Sequence, residues 1–544
     1  MSSYEGAKMK SSKELTIVSI KDHIVVVEGD HSYQFLEEIR FGKGINGVVL
    51  KANHHRAYVA LVGLNTQDQL VVGAKAVATG ATFTVSVFNN LFGAIIDVNG
   101  QAMIAGAKVA EVEVLAEKFV LEDAKPLYAR RAVNQPLQTG TSAIDGLLPI
   151  GRGQKELIVG DSVTGKTAIA LTAMLSQAQS NVMNVYVAIG KKRDELIEIY
   201  NVLQNRGLAD KTIMVAAAAD DAAAAKYLAP YVGASIAEYY QEEGEDVLVI
   251  FDDLSNHADA YRELSLSVGT APGREAFPGD IFYIHSRLLE RCGRFTEDFG
   301  GGSITMLPIA QTLDGDISGY IPTNLISITD GQIYTSRDIF NEGRRPAIEI
   351  GISVSRLGSQ VQTKSMIRAT SGLKNLISEY ETFKKFQSFN TNISAADREK
   401  VAKGKVFELL IEQDEYEVIP QPVTAILFML LKRGFLSMFF NEAADKAAQQ
   451  IAVLKDVIKT FLTKDVVGLM MMAVIDTAGI ESDVIELYLK HILLPLIKYH
   501  LLSENKWLRN NPEFVQMFKD IRNDGRVLLA YERRGFEKGI AYEI

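Results

Sequence analysis

A chain of 544 residues with 47% hydrophobic content has room for about two to four domains, each with a sizeable core. Its formal net charge of -10 argues against a general nucleic-acid binder, which needs a basic face to neutralise phosphates. The single cysteine, Cys292, excludes an internal disulfide and suits a reducing compartment.

Residues 1–13 form a short polar tail that reads as neither a signal peptide nor a membrane anchor. From Glu14 to about Asn99, short β-rich runs (Thr16 to Val18, Ile24 to Val27, Gly47 to Leu50, Ala57 to Val62, Ala81 to Val87) are separated by Gly, Asn and Asp turns, which predicts a small barrel over 14–99. Over 100–371, apolar runs at Leu157 to Val159, Val185 to Ile189, Ile213 to Ala216, Val247 to Phe251 and Ser303 to Pro308 alternate with helix-like segments. That is the pattern of a largely parallel sheet covered by helices. The Ala-rich piece Ala216 to Ala225, broken by Asp220-Asp221, reads as a strand end entering a helix. Residues 372–480 read as helical, with Ser394 to Asp397 as a capping box ahead of Val401 to Ile411, and 481–544 form a further helical extension. Apolar stretches such as Val423 to Leu431 and Val466 to Ile475 fall short of the ~18 residues that a membrane span needs, so the protein reads as soluble.

The strongest chemical signal is Gly160-Asp161-Ser162-Val163-Thr164-Gly165-Lys166-Thr167, preceded by an apolar run and followed by a helix-favouring stretch. This is the spacing of a phosphate-binding loop, or P-loop. Glycines let backbone N–H groups converge on phosphate oxygens, Lys166 reaches the terminal phosphates, and the Thr167 hydroxyl ligates Mg²⁺. Val247 to Asp252 is a buried-strand run ending in a carboxylate, which puts Asp252 beside the loop, able to hold Mg²⁺ through water. An apolar run ending in Asp is common in α/β proteins, and the loop is what gives this one meaning. Asp253 reads as the residue that caps or turns the next segment.

Pro149 to Gln154, Pro272 to Asp280, His285 to Arg291, Tyr320 to Asn324, Ile326 to Gln332 and Ser353 to Arg356 stand in an order that resembles the alpha subunit of F-type rotary ATPases. The resemblance runs from the barrel to at least Tyr416. It implies a multi-domain α/β fold: an N-terminal β-barrel, a central RecA-like P-loop NTPase domain and a C-terminal helical domain. It also implies ATP or ADP with Mg²⁺ as ligands, and an alternating alpha3beta3 hexamer with a catalytic beta-type subunit around a central gamma-like shaft. Such a complex is cytoplasmic and peripheral at the inner face of the cell membrane.

In this superfamily a catalytic subunit carries a glutamate, after the strand that follows the loop, to polarise the attacking water. Here the matching stretch is Ala188-Ile189-Gly190-Lys191-Lys192-Arg193. An ammonium at neutral pH has no acceptor lone pair, so the protein's own site is expected to be non-catalytic. The blander alternative makes Lys191 to Arg193 a basic helix start, with the base supplied from elsewhere. Arg356 matches the position from which an arginine finger enters the neighbouring beta site, and its permanently charged guanidinium suits that task. Ser327 is expected near the same interface, or else is a structural strand-end serine.

Around the adenine, the resemblance assigns Arg345-Pro346, which also reads as a loop brace, together with Gln413 and Glu415 of Gln413-Asp414-Glu415-Tyr416, where the family has Gln-Gly-Gln-Tyr. Ser162-Val163 replaces the family's Arg-Gln. The short tail before the first strand argues against a conventional peripheral-stalk attachment. The extension Glu481 to Ile544, with the amphipathic Val484 to Leu494 and the sole Trp507, is expected either to dock onto a further partner or to fold back on its own helical domain. These departures suggest a specialised F-type-like ATPase such as the divergent forms of mycoplasmas, including those linked to gliding. Rotation would then serve ion transport and ATP synthesis, or mechanical work. Three rivals stand beside this: a purely structural subunit that binds no nucleotide, a RecA-like hexameric helicase, and an export ATPase. The acidic charge opposes the helicase, and Lys191 opposes both enzymes.

Overall fold

The computed structural model describes residues 13–42, 44–63, 67–104, 113–387, 395–434, 436, 439–440 and 444–464. The tail before Lys13, Ser394 of the capping box, Val466 to Ile475 and the extension from Glu481, with Trp507, lie outside them. The protein divides into two units, one comprising the described residues up to Thr139 together with Ile150–Leu357, the other Gly140–Pro149 together with those from Gly358 onward.

The first unit opens with six antiparallel strands, Lys13–Lys21, Ile24–Glu28, Glu37–Gly42, Ile45–Ala52, Arg56–Leu61 and Lys75–Thr82. They close into a barrel in the order first, second, fifth, fourth, third, sixth, which removes every free edge. Alternate residues point inward, so Leu15 and Ile17, Val25 and Val27, Ile39 and Phe41, and Ala57, Val59 and Leu61 share one buried cluster. The barrel is complete by Thr82. Ile95–Ile96 already belongs to the next sheet, pairing parallel with Thr212–Ala218.

The central sheet contains all five apolar runs singled out in the sequence, as strands Leu157–Gly160, Val182–Lys191, Thr212–Ala218, Asp246–Asp252 and Ser303–Gln311. These five and Gly331–Thr335 lie parallel, with Leu157–Gly160 between Gly331–Thr335 and Ser303–Gln311, followed by Asp246–Asp252, Val182–Lys191 and Thr212–Ala218. Their sequences are nearly continuously apolar because helices cover the sheet; every residue of Thr212–Ala218 is buried. The Ala-rich piece is the end of that strand followed by the start of helix Ala223–Glu242. That helix comes so close to the sheet that a Cβ on Gly233 would stand 2.3 Å from a Val187 methyl, so small residues are what permit the packing. Gly160, Lys191, Asp252 and Gln311 all end parallel strands, and the C-terminal edge of such a sheet is where ligands bind.

The second unit is helical: Ser142–Leu147, Lys364–Thr370, Leu373–Gln387, Ala395–Ile411, Gln421–Lys432 and Ala444–Lys464. Gln421–Lys432 is buried along most of its length and forms the centre, with Phe428 packed against Phe407 at 5.4 Å between ring centroids. Among the described residues no helix is long and apolar enough to cross a membrane. Barrel, nucleotide-domain sheet and helical unit together are the architecture expected from the sequence.

Candidate nucleotide site

The loop from Gly160 to Thr167 joins strand Leu157–Gly160 to helix Lys166–Leu175. Gly160 lies against Thr335 of the neighbouring strand, where an added Cβ would meet the Thr335 Oγ1 at 2.2 Å and its carbonyl oxygen at 2.3 Å. Gly165 turns the backbone into the helix with φ +87°, a left-handed conformation that glycine adopts without strain. Asp161 braces the loop by accepting hydrogen bonds from the Thr312 hydroxyl (2.6 Å) and the Gly315 N–H (2.8 Å). Burial works against its charge, but these donors and Arg337 hold its carboxyl below the usual carboxylate range. The Thr164 hydroxyl donates to the Asp161 carbonyl at 2.8 Å and lies 2.7 Å from the Thr335 hydroxyl. Ser162 and Val163 are exposed. The Lys166 ammonium folds onto the Gly160 and Asp161 carbonyl oxygens (2.9 and 2.5 Å), and burial brings its pKa down to about 8. A helix start with converging N–H groups and a long cationic side group fits a run of phosphates.

Beside the loop, Asp252 is almost wholly buried and receives three donors. The Thr167 hydroxyl donates to its Oδ2 at 2.6 Å, the Tyr186 hydroxyl donates to the same oxygen at 2.8 Å, and the Lys191 Nζ pairs with Oδ1 at 3.0 Å. The Lys191 Nζ also lies 3.4 Å from the Thr167 hydroxyl oxygen. Burial would lower the pKa of Lys191, but the Asp252 charge raises it above the ordinary value, so this ammonium stays protonated. Burial and the same carboxylate push the Tyr186 hydroxyl well up, which keeps it a donor. Asp253 caps helix Leu254–Ser267 by accepting from the Asn256 N–H (2.8 Å), as its position in the sequence suggested, and also accepts from Gln311 Nε2 (2.7 Å). Burial raises its pKa to about 6.

The sequence assigned Thr167 and Asp252 to Mg²⁺, and the geometry does not accommodate that ion with Lys191 in position. Magnesium takes oxygen ligands at about 2.0–2.1 Å. Here the Lys191 ammonium lies 3.4 Å from the Thr167 oxygen and 3.0 Å from Asp252 Oδ1, so a positive charge already faces both groups the ion would use. Among the described residues no group of three or more His, Cys, Asp or Glu side chains is placed to hold a metal.

Arg356 is exposed and lies against the end of helix Tyr320–Ile328, where its Nη1 donates to the Thr329 carbonyl (2.9 Å) and its Nη2 to that of Ile326 (3.2 Å). Ser327 is not at a strand end but on the same helix, where it is exposed and donates back to the Thr323 carbonyl at 2.9 Å. Arg345 bonds to the Phe340 and Arg344 carbonyls (2.6 and 2.9 Å) and stacks over the Phe340 ring, ahead of half-buried Pro346. That is the bracing arrangement the sequence left open. In the helical unit Gln413 is buried and committed at both ends, accepting from the Ser142 N–H (2.7 Å) and donating to the Gly140 and Glu417 carbonyls (2.8 and 3.2 Å). Glu415 is exposed. Tyr186 and Thr335 were not singled out in the sequence; only the strand register brings them to Asp252 and Gly160.

A loop of this geometry at the C-terminal edge of a helix-covered parallel sheet makes this a P-loop nucleotide-binding protein of the RecA-like class. Two family models match it: the nucleotide-binding domain of the ATP synthase alpha/beta family over residues 140–355, and the C-terminal domain of ATP synthase alpha/beta subunits over 362–464. An ATP synthase subunit alpha of Mycoplasmopsis synoviae is 39% identical over 481 residues, covering 87% of each sequence. That of Dehalococcoides mccartyi is 40% identical over 437 residues, covering 79% of this protein and 85% of its own length. ATP synthase subunit alpha 1 of Mycoplasmopsis pulmonis is 42% identical over 422 residues, 77% of this protein and 79% of its own length. The chain belongs to the ATP synthase alpha subunit family.

Proposed function

We propose that the protein is the non-hydrolysing subunit of an alternating alpha3beta3 ring, holding ATP or ADP at its own loop and offering Arg356 to the catalytic site of a beta-type neighbour. Hydrolysis in that neighbour turns a central gamma-like shaft, coupled to ion transport and ATP synthesis or to mechanical work. The complex would hold this subunit at the inner face of the cell membrane. The observation that carries the non-hydrolysing role is Lys191. Water attack on a terminal phosphate needs a side chain that can accept a proton or orient the water through a lone pair. At the end of strand Val182–Lys191 the protein offers a protonated ammonium paired to Asp252 at 3.0 Å. The nearby Asp253 carboxylate is turned to Asn256 and Gln311. The role of Arg356 is supported by its exposure and its match to the family segment Ser353 to Arg356. Steady-state hydrolysis by the purified full-length protein is the test. Turnover well above background and abolished by Lys166→Ala would sink the non-hydrolysing role.

A further inference from the structure

Lys191 does more than remove a catalytic carboxylate. It ends a strand fixed on both sides, with Ala188 in register with Asp252 on one flank and Lys191 itself with Ala218 on the other. Its carbonyl accepts the Ala219 N–H at 2.8 Å, so the backbone is anchored and the side chain turns toward Asp252. The ammonium is 3.0 Å from Asp252 Oδ1 and 3.4 Å from the Thr167 oxygen, with the Lys191 side chain only 16% exposed. Those two residues are the ones a divalent ion would need at this loop.

We propose that Lys191 is the site's built-in counter-ion, so that this subunit takes a nucleoside di- or triphosphate free of divalent metal. This rests on the nucleotide-binding role proposed above. A metal entering between Thr167 and Asp252 would stand within a few ångströms of a fixed positive charge in a poorly solvated place, where like charges repel strongly. It would also have to displace that ammonium from Asp252 Oδ1 and from the Thr167 oxygen. The ammonium already neutralises Asp252, which would otherwise repel the phosphates. With Lys166 and the helix start, it leaves the loop positive enough to receive a polyphosphate.

The experiment is equilibrium dialysis of the full-length protein against ATP, in excess EDTA and in excess MgCl₂. The parent should bind ATP in EDTA, and its apparent affinity should fall at least about tenfold in excess MgCl₂, which ties ATP up as the magnesium complex. Lys191→Gln removes the charge and frees both oxygen ligands. It should bind at least about tenfold more weakly in EDTA and recover when Mg²⁺ is added. With Mn²⁺ in place of Mg²⁺, electron paramagnetic resonance should find the ion retained with bound nucleotide only in the variant. Parent binding that is equal in the two buffers, or that vanishes in EDTA and returns with Mg²⁺, overturns the counter-ion role alone. Absence of ATP binding in either buffer overturns the nucleotide role and this one with it. If Lys191→Gln fails to fold, the comparison of buffers on the parent still decides.

Discussion

The Arg356 guanidinium donates to the Thr329 carbonyl at 2.9 Å, and Thr329 is the residue that caps helix Tyr320–Ile328. With the Ile326 carbonyl also engaged, two orphan acceptors at a helix end are satisfied by a permanent cation, which complements the negative end of the dipole. A guanidinium carries five N–H donors, so this perch holds the group in place while leaving others turned to solvent. Under the role proposed above, this is the position from which Arg356 would reach a neighbour's phosphate oxygens.

If Arg356 performs that task, Arg356→Ala should leave folding, ring assembly and nucleotide binding at the neighbour's site nearly unchanged. Hydrolysis by the assembled complex should fall by about 10³-fold, roughly 4 kcal/mol of transition-state stabilisation. Arg356→Lys should rescue poorly, because a point charge cannot reproduce the planar fork. Single-turnover hydrolysis by the reconstituted complex is the measurement, and a rate within a few-fold of the parent removes Arg356 from the reaction.

Gly160 and Gly165 should respond differently to alanine. At Gly160 the new methyl would collide with the Thr335 carbonyl oxygen at 2.3 Å, a backbone atom that cannot step aside, so Gly160→Ala should destabilise by about 1–3 kcal/mol and spoil ATP binding. At Gly165 no heavy atom lies within 4 Å of the added carbon, and only its φ of +87° is penalised, about 1 kcal/mol. Urea denaturation of the two variants side by side tests the order, and equal losses would contradict it.

Arg291 is fully buried and grips Glu238 through its Nε (2.7 Å) and Nη2 (2.5 Å), while its remaining donors reach the Val120 carbonyl and the Ser235 hydroxyl. Arg291→Met strands a carboxylate in the interior and should lower stability by about 3–5 kcal/mol. Removing both charges, with Arg291→Met and Glu238→Leu together, should recover part of that loss. A single variant within about 1 kcal/mol of the parent by chemical denaturation would show the pair to be dispensable.

His257 and His285 lie close together, ring centroids 5.4 Å apart, and both are fully buried. Burial brings the pKa of His257 down to about 4 and that of His285 well below its usual value, the latter helped by its neighbour. In the unfolded state both take up protons near pH 6.5. Below that pH the unfolded state therefore binds more protons than the folded one, and stability falls as pH drops from about 6.5 toward 4; above 6.5 neither histidine contributes a pH dependence. His257 alone accounts for roughly 3 kcal/mol across that window. Denaturation free energies of the parent and His257→Gln, followed from neutral to acid pH, should show the flatter profile in the variant. Parallel profiles would refute the assignment.

The sheet was legible because burial on both faces leaves no polar alternation to confuse its strands; Val247 to Phe251 and Ile213 to Ala216 could hardly be anything else. The barrel was partly legible. Glu37–Gly42 escaped notice because Glu38 and Arg40 face outward and break its apolar run, and the run Ala81 to Val87 joined the end of Lys75–Thr82 to the separate strand Thr84–Phe88. At the site, the loop is local in sequence and was found whole. The contacts of Asp252 depend on register between strands, so Lys191 could be recognised as an absent base but not as the partner of Asp252. Gln413 shows the same limit at longer range, because its amide is satisfied by Ser142, 271 positions earlier.

The placement of Gly140–Pro149 within the helical unit has a consequence for how the protein can be divided. The backbone enters that unit, leaves it to build most of the nucleotide domain, and returns at Gly358. The Gly140 carbonyl accepts from both Gln413 and the Ile419 N–H, so these donors have no counterpart in any piece that begins at Gly358. During synthesis the early segment must wait, already made, for helices that emerge more than two hundred residues later. A genetic truncation or proteolytic cut between the two stretches thus removes a strut from inside the helical unit. The excised fragment lacks helix Ser142–Leu147 and the hydrogen-bond acceptor that fixes the loop between Ile411 and Gln421.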